Sequence, residues 1–494
     1  MPNFFLYISI ALIASIIIQL KYLIHILMKL LPLFLLFATA FICLHAMTIQ
    51  YNPGYDRLYN LDSNRYTETM LQFQQKSLSD DQNIVFLMRL ATTYGFTCFQ
   101  AGNFISIFND DETRIQGLQA LLNNIIDPQN NATQILNQFT TVTGQFQAKN
   151  LLANFTACQT QGDAPDVLPY PVLNYTNTWN DSDVYALIDQ INQATTSDQK
   201  ISIAQTTLLN YSNVLTPNQT LSLFQAFKAS NDTITLTNAV NDRFVGLTCE
   251  QIQKVLARFL LAADKLNVLT AFKNMVIDAE NKYTLLNSFY LPADKDKARL
   301  ILSQIRPKSP FYGTPSGKIG FSLACSASMA TNITLSTGET LTRFQYLKRE
   351  FEKTIMSFDG NTQFDYGLFG GAPIIWQQSV KSPTAQNIQN ALDLFNKRGT
   401  GGIHGIWMTY YYLAEVIGVN TIYLITDGVE DMDGDPDPAT FINLTKQFHG
   451  KGLKVHTIGM LMGDDGKTPE DKAQLVSFLK SLADVTQSTF RILE

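Results

Sequence analysis

"KIGFSLACSASM" (Lys318–Met329) begins as a strand and ends as a loop. Lys318–Ala324 is an almost unbroken apolar run of strand length, the pattern of a strand covered on both faces. Cys325–Met329 then supplies small residues and two hydroxyls, Ser326 and Ser328. Further on, "TIYLITDG" (Thr421–Gly428) repeats the form, a buried-type strand running into a loop that opens with Asp427. Strand-like segments also occur at Gln363–Gly370, Leu453–Leu461 and Thr489–Leu493. Helical spacing of apolar residues marks Leu341–Met356, Ile388–Phe395, Ile403–Val416, Thr440–Phe448 and Ala473–Ala483. Strands alternating with helices imply crossover units, hence an α/β domain over 318–494: a doubly wound, mainly parallel sheet flanked by helices. In such sheets the ligand crevice lies outside the carboxyl ends of the strands, near the switch in strand order.

Three segments are expected at that crevice: "LACSASM" (Leu323–Met329), "RGTGG" (Arg398–Gly402) and "LITDG" (Leu424–Gly428). In order and spacing this constellation resembles the von Willebrand factor A-type domain over residues 316–494. The resemblance implies a loop of the form Asp-X-Ser-X-Ser, a Thr and a later Asp that together hold a divalent cation, completed by a partner's carboxylate. Carried over, the metal-site residues are Ser326, Ser328, Thr400 and Asp427. The first Asp is replaced by Ala324, and Cys325 takes the variable place after it.

That replacement weakens the implied site. Magnesium requires near-octahedral oxygen ligands and usually a carboxylate. Neutral hydroxyls offset little of its hydration energy, and Asp427 is the sole matched acid. Weak magnesium or calcium binding is the cofactor expectation, with no other cofactor. Ser326 and Ser328 also suit a plainer role, capping a helix or tightening the loop. After Asp427 the acids Glu430, Asp431, Asp433, Asp435 and Asp437 follow closely. Asp431, Asp433 and Asp435 open like a calcium loop, but Pro436 stands where that motif needs Gly and Ile442 where it needs Glu. The alternatives are a solvated acidic turn, or acids that restore the charge lost at Ala324. Asp464 and Asp465 add to this rim.

Ahead of this domain, residues 66–303 have helical periodicity and align with themselves at a shift of 151 residues. "GFTCFQ" (Gly95–Gln100) falls on "GLTCEQ" (Gly246–Gln251), Phe108 on Phe259 and Asp127 on Asp278. Two all-α helical repeats follow from this, at 66–155 and 217–305. Between them 156–216 is expected to be a Pro-containing linker plus a helix. The stretch 306–317, inside "RPKSPFYGTPSGK", is expected to be a second linker. Asp81/Asp232 and Asp127/Asp278 are expected to cap helices. Leu247–Leu302 resembles a small helical family of unknown function, which implies no chemistry. Cys98 and Cys249 sit at equivalent places. Burial as small apolar fillers, pairing with each other, or pairing of one with Cys158 all remain open, as does the state of Cys325.

The amino terminus is a block of its own. Residues 1–48 contain two apolar runs, Phe4–Leu20 and Leu30–Met47, with Lys21 and Lys29 between them and no acid. The second run has the form of a secretory signal, with Met28 as an alternative start, so 1–46 is expected to be a signal peptide. The alternative is a retained membrane anchor over 4–48. Export agrees with nine Asn-X-Ser/Thr glycosylation candidates, at Asn131, Asn154, Asn174, Asn180, Asn210, Asn218, Asn231, Asn332 and Asn443. The net charge of −6 over 494 residues argues against a nucleic-acid partner. No nucleophile elbow, zinc-protease helix or phosphate loop is present. His404 near Cys325 or Ser326 lacks the orienting partner that catalysis needs. The expected function is therefore not enzymatic. It is an extracellular or lumenal protein-binding, adhesion-type module with a protein partner. The alternatives are a structural surface or matrix component and a membrane-anchored receptor.

Overall fold

The computed structural model describes residues 58–494 apart from 76–77, 154, 156, 166–167, 169–178, 310, 314, 337, 403–404, 430–435 and 465. The signal-peptide, anchor and start-site readings fall on residues outside these. Among the described residues no helix is long and apolar enough to cross a membrane.

The helical half is built from a shorter unit than the sequence shift suggests. Among the described residues its helices form seven hairpins: Ser63–Gln75 with Asp80–Ala91, Cys98–Ile105 with Asp111–Leu121, Pro128–Leu136 with Val142–Ala153, Asp181–Gln193 with Ser197–Leu209, Pro217–Gln225 with Ser230–Val240, Cys249–Leu256 with Ala262–Phe272, and the 3-10 segment Ala279–Ser288 with Pro292–Ser303. Several start at reciprocal caps, as at Thr97 with Gln100, Thr216 with Gln219 and Thr248 with Gln251. One hairpin cannot bury its apolar face alone, so successive hairpins stack. Short extended segments between them are joined by backbone bonds: Phe96 N to Asn124 O (2.8 Å), Leu215 N to Arg243 O (2.8 Å) and Leu247 N to Met275 O (2.8 Å).

The 151-residue shift thus superposes two sets of three hairpins. Each set has its own core, Leu61–Leu168 and Trp179–Ile305. The hairpin Asp181–Leu209, in the stretch expected to be a linker plus one helix, is two helices and belongs to the second core through Val184, Leu187, Ile191, Ala204 and Leu208.

Asp127 and Asp278 do not cap the backbone amides of their own helices; one oxygen of each accepts a side-chain amide there, from Asn131 (2.7 Å) and Asn281 (3.0 Å). Each instead accepts the first amide of the preceding hairpin's helix, Cys98 N (2.5 Å) and Cys249 N (2.7 Å), and so pins neighbouring hairpins together. Asp81 accepts Ala385 N (2.9 Å), and Asp232 accepts the Ser197 hydroxyl (2.9 Å).

The carboxy-terminal domain contains β1 (Lys318–Ala324), β2 (Gln363–Phe369), β3 (Ile374–Ile375), β4 (Thr421–Thr426), β5 (Lys454–Met460) and β6 (Phe490–Leu493). They lie in the order β6-β5-β4-β1-β2-β3, parallel except for β3. Its helices are α1 (Arg343–Ile355), α2 (Ala385–Lys397), α3 (Ile406–Tyr411, continued by a π-helical turn Tyr412–Ile417), α4 (Pro438–Gly450) and α5 (Pro469–Val485).

Register assigns the faces. Phe321 of β1 and its neighbours Tyr366 and Tyr423 share one face, where Phe351 of α1 and Phe395 of α2 pack. Ser322, Leu424 and Thr457 share the other. Ser322 Oγ meets Thr409 of α3 at 2.7 Å, and Thr457 Oγ1 donates to Leu479 O of α5 at 2.8 Å. Phe441 of α4 stands edge-on to Phe478 of α5 on this side.

The stretch 306–317 is not a loose linker. Phe311 and Tyr312 are each 1% exposed and belong to the core of the α/β domain. Lys308 beside them is buried, its Nζ donating to Asn241 O (2.5 Å) and Oδ1 (3.0 Å). Helical and α/β parts also meet where Arg243 Nη1 donates to Ser488 O (3.2 Å). Gly54–Glu494 forms one compact unit.

Candidate functional site

The strand order reverses between β1 and β4, so the loops leaving these strands diverge into a crevice. The loop after β1 starts at Cys325, whose amide donates to Phe369 O at the end of β2 (2.6 Å). The Thr400 loop is tied to it twice, Gly401 N to Cys325 O (2.9 Å) and Ala327 N to Gly402 O (3.2 Å). Glycine is required where the loops cross. A Cβ on Gly370 (φ +132°) would lie 2.5 Å from Ser326 N, and one on Gly402 (φ +73°) would lie 2.5 Å from Gly371 N.

Within this convergence Ser326 Oγ lies 3.1 Å from Ser328 Oγ and donates to Asp427 Oδ1 at 3.3 Å. Ser326 and Asp427 are buried, and Ser328 and Thr400 are half-buried at the rim. Ala324 is fully buried at the end of β1.

The decisive group is one that sequence reasoning missed. Arg343, the first residue of α1, has no exposed surface. Its Nη1 lies 3.0 Å from Asp427 Oδ2, its Nε donates to Met462 O (2.6 Å) and its Nη2 to Gly463 O (3.4 Å). A guanidinium therefore sits against the carboxylate that the family pattern would give to a cation. The fixed fork of donors satisfies both the carboxylate and two loop carbonyls. Among the described residues, the groups the family pattern assigns to a divalent ion here are the neutral hydroxyls of Ser326, Ser328 and Thr400 and one carboxylate, Asp427, already paired with a positive charge. That donor set does not fit magnesium, which needs uncompensated anionic oxygen.

A second arginine braces the rim. Arg398 Nη2 donates to Gly370 O (2.6 Å) and its Nε to Cys325 Sγ (3.3 Å). Burial pushes the Cys325 thiol above its ordinary range, and Arg398 offsets part of this. Buried and protonated, it is a poor nucleophile.

Of the remaining candidates, Asp437 caps α4, accepting Ala439 N (3.0 Å) and Thr440 N (3.1 Å). Asp464 is exposed and accepts Gly466 N (3.1 Å). Glu430, Asp431, Asp433, Asp435, Asp465 and His404 lie outside the described residues. Among the described residues no cluster of three His, Cys, Asp or Glu side chains could hold a metal. Cys98, Cys158, Cys249 and Cys325 are free thiols.

The glycosylation candidates Asn180, Asn210, Asn218, Asn231, Asn332 and Asn443 are exposed. Asn131 is half-buried, its Nδ2 donating to Asp127 Oδ2 (2.7 Å), and Asn154 and Asn174 lie outside the described residues.

Comparison with known proteins yields distant relationships. A family model described as a domain of unknown function, DUF4476, matches residues 60–152 and 232–302. No curated protein matches. Among solved structures, a von Willebrand factor type A protein from Catenulispora acidiphila is 15% identical, covering 36% of this chain and 39% of that one, with a TM-score of 0.28. The conserved hypothetical protein BatB from Bacteroides thetaiotaomicron is 14% identical, covering 36% of this chain and 90% of that one, TM-score 0.26. An aerotolerance-related membrane protein from Bacteroides fragilis is 15% identical, covering 36% and 92%, TM-score 0.26. The chain is thus similar in part to DUF4476 and, distantly, to von Willebrand type A and BatB-like structures.

Proposed function

We propose that this chain is a non-enzymatic, adhesion- or scaffold-type module that binds a protein partner through the upper rim of its α/β domain without a bridging cation. The single observation that carries this is the Arg343–Asp427 ion pair beneath Ser326, Ser328 and Thr400. It neutralises internally the charge that a metal would neutralise, and leaves neutral hydroxyls and backbone, braced by Arg398, at the described part of the rim. Recognition then rests on shape and neutral hydrogen bonds, so the partner need not present a carboxylate to a metal. An exported or membrane-anchored location accords with the apolar amino-terminal block and the exposed sequons.

The test is thermal unfolding of the full chain titrated with magnesium, calcium and manganese, beside an Ala324→Asp/Arg343→Met double variant. The natural protein is expected to show no magnesium or manganese shift, and the double variant to gain one. A magnesium shift in the natural protein that Asp427→Asn abolishes would overturn cation independence. Calcium stabilisation lost only on changing Asp431 and Asp433 would assign a separate site to the acidic loop.

A further inference from the structure

The helical half has a second concave site, where its first and last hairpins meet. Arg299 forks onto Glu68, with Nε 3.0 Å from Oε2 and Nη2 3.1 Å from Oε1. Gln72 Nε2 donates to Ser303 O (3.3 Å), while Lys282 Nζ (3.1 Å) and Tyr283 Oη (2.9 Å) donate to Gln72 Oε1. Beside this clamp opens a pocket with apolar walls from Leu61, Phe86 and Leu90, and with Arg65, Arg89, Glu280 and Lys282 in its lining.

These charged groups are not equivalent. Arg65 is committed, with Nη1 2.6 Å from Asp62 Oδ2 and Nη2 donating to Pro165 O at 2.6 Å. Lys282 is held by Gln72 and lies over the Phe86 and Tyr283 rings. Arg89 is half-buried, with its guanidinium carbon 5.2 Å above the Phe86 ring. Among the described residues its guanidinium makes no hydrogen bond and no ion pair within 4 Å. Burial lowers its pKa, and the charge of Glu280 raises it in part without pairing.

A planar cation with five donors, half-buried at the cleft and given no protein acceptor, is open to one that a ligand brings. A planar carboxylate matches its fork, and a ring or aliphatic body matches the walls beside it. We propose that this seam pocket binds a small organic carboxylate, its head group on Arg89 and its apolar body against Phe86 and Leu90. Inorganic phosphate, hydrated on all sides, suits such walls poorly.

The test is calorimetric titration of the full chain with benzoate, acetate and inorganic phosphate, using Arg89→Met, Arg89→Lys and Glu280→Gln. Benzoate is expected to bind more tightly than acetate or phosphate. Arg89→Met should weaken it by about tenfold or more, the loss expected for a charged hydrogen bond. Arg89→Lys should fall between, and Glu280→Gln should tighten binding, because it removes the opposing acid. Circular dichroism checks the folding of each variant. Should Arg89→Met not fold, the lysine variant and Glu280→Gln carry the test, since both keep a cation in the pocket. Absence of binding by all three anions, tighter binding of phosphate, unchanged affinity in a folded Arg89→Met, or weaker binding in Glu280→Gln would each overturn the proposal.

Discussion

Arg343 places Nη1 3.0 Å from Asp427 Oδ2, and neither side chain keeps any exposed surface. Two charges so far from water are stable only as a pair. Removing one deprives the other, still buried, of this charged partner, a change that costs about 3–5 kcal/mol in comparable cases. Arg343→Met is therefore expected to destabilise the domain by that order in urea unfolding, and to loosen the loop at Met462–Gly463. Adding Asp427→Asn should recover part of the loss, because the lone carboxylate is gone. A single-variant loss under about 1 kcal/mol, the range of exposed pairs, would show that the pair does not hold the crevice together.

Gly370 offers a test of the crossing itself. Its φ of +132° is one that side-chain-bearing residues rarely adopt, and its missing Cβ is where Cys325 and Ser326 pass. Gly370→Ala combines backbone strain with a collision against main chain that cannot swing aside. A cost of about 1–3 kcal/mol is expected, with loss of protection of the Cys325 and Gly401 amides in hydrogen exchange. Gly399→Ala, where a Cβ would meet nothing within 4 Å, serves as the control.

How much of this was legible in the sequence differs by element. β1 and β4 are covered on both faces, so their apolar runs mark them directly. The two hydroxyls and Asp427 follow those strands, and their meeting comes from parallel topology alone. Arg343 was invisible. At the start of an amphipathic helix, after "TLT", an arginine is ordinarily solvated, and only the placement of α1 beneath the loops buries it. The hairpin unit was hidden because neighbouring hairpins share few residues beyond an aromatic before the turn and an acid after it, as at Phe259/Asp264 and Phe289/Asp294. Prolines and glycines in 306–317 signalled a linker, while Phe311 and Tyr312 carried the contrary signal of burial.

Lys308 predicts a pH dependence at the junction of the two halves. Burial lowers its pKa to about 7, Asp242 opposes this and Arg491 reinforces it. Its ordinary value is near 10.5. Between these values the unfolded chain binds the extra proton, so the Lys308 contribution to stability rises with pH from about 7 to about 10 and is level on either side of that window. Urea unfolding at pH 7, 8.5 and 10 should show the rise, and Lys308→Met should flatten it. An equal slope in the variant would place the titrating group elsewhere.

Thiol reactivity gives an independent check of the burial pattern. Cys98 and Cys249 lie inside successive helical cores, their Sγ atoms 3.5 Å from the Asp127 and Asp278 carbonyls. Desolvation pushes the Cys98 thiol up to about 12, and Cys249 is raised well above its ordinary range for the same reason. Cys325 is sealed beneath Gly370 and Arg398. Cys158 is raised as well, by burial, yet it alone of the four keeps partial exposure. Since the thiolate is the reacting species, Cys158 is expected to label first of these four with iodoacetamide at pH 8 in the native protein. The other three should become reactive only in urea, without any reductant. A requirement for reductant at Cys98 or Cys249 would reveal a disulfide, and with it a different packing of the hairpins that carry them.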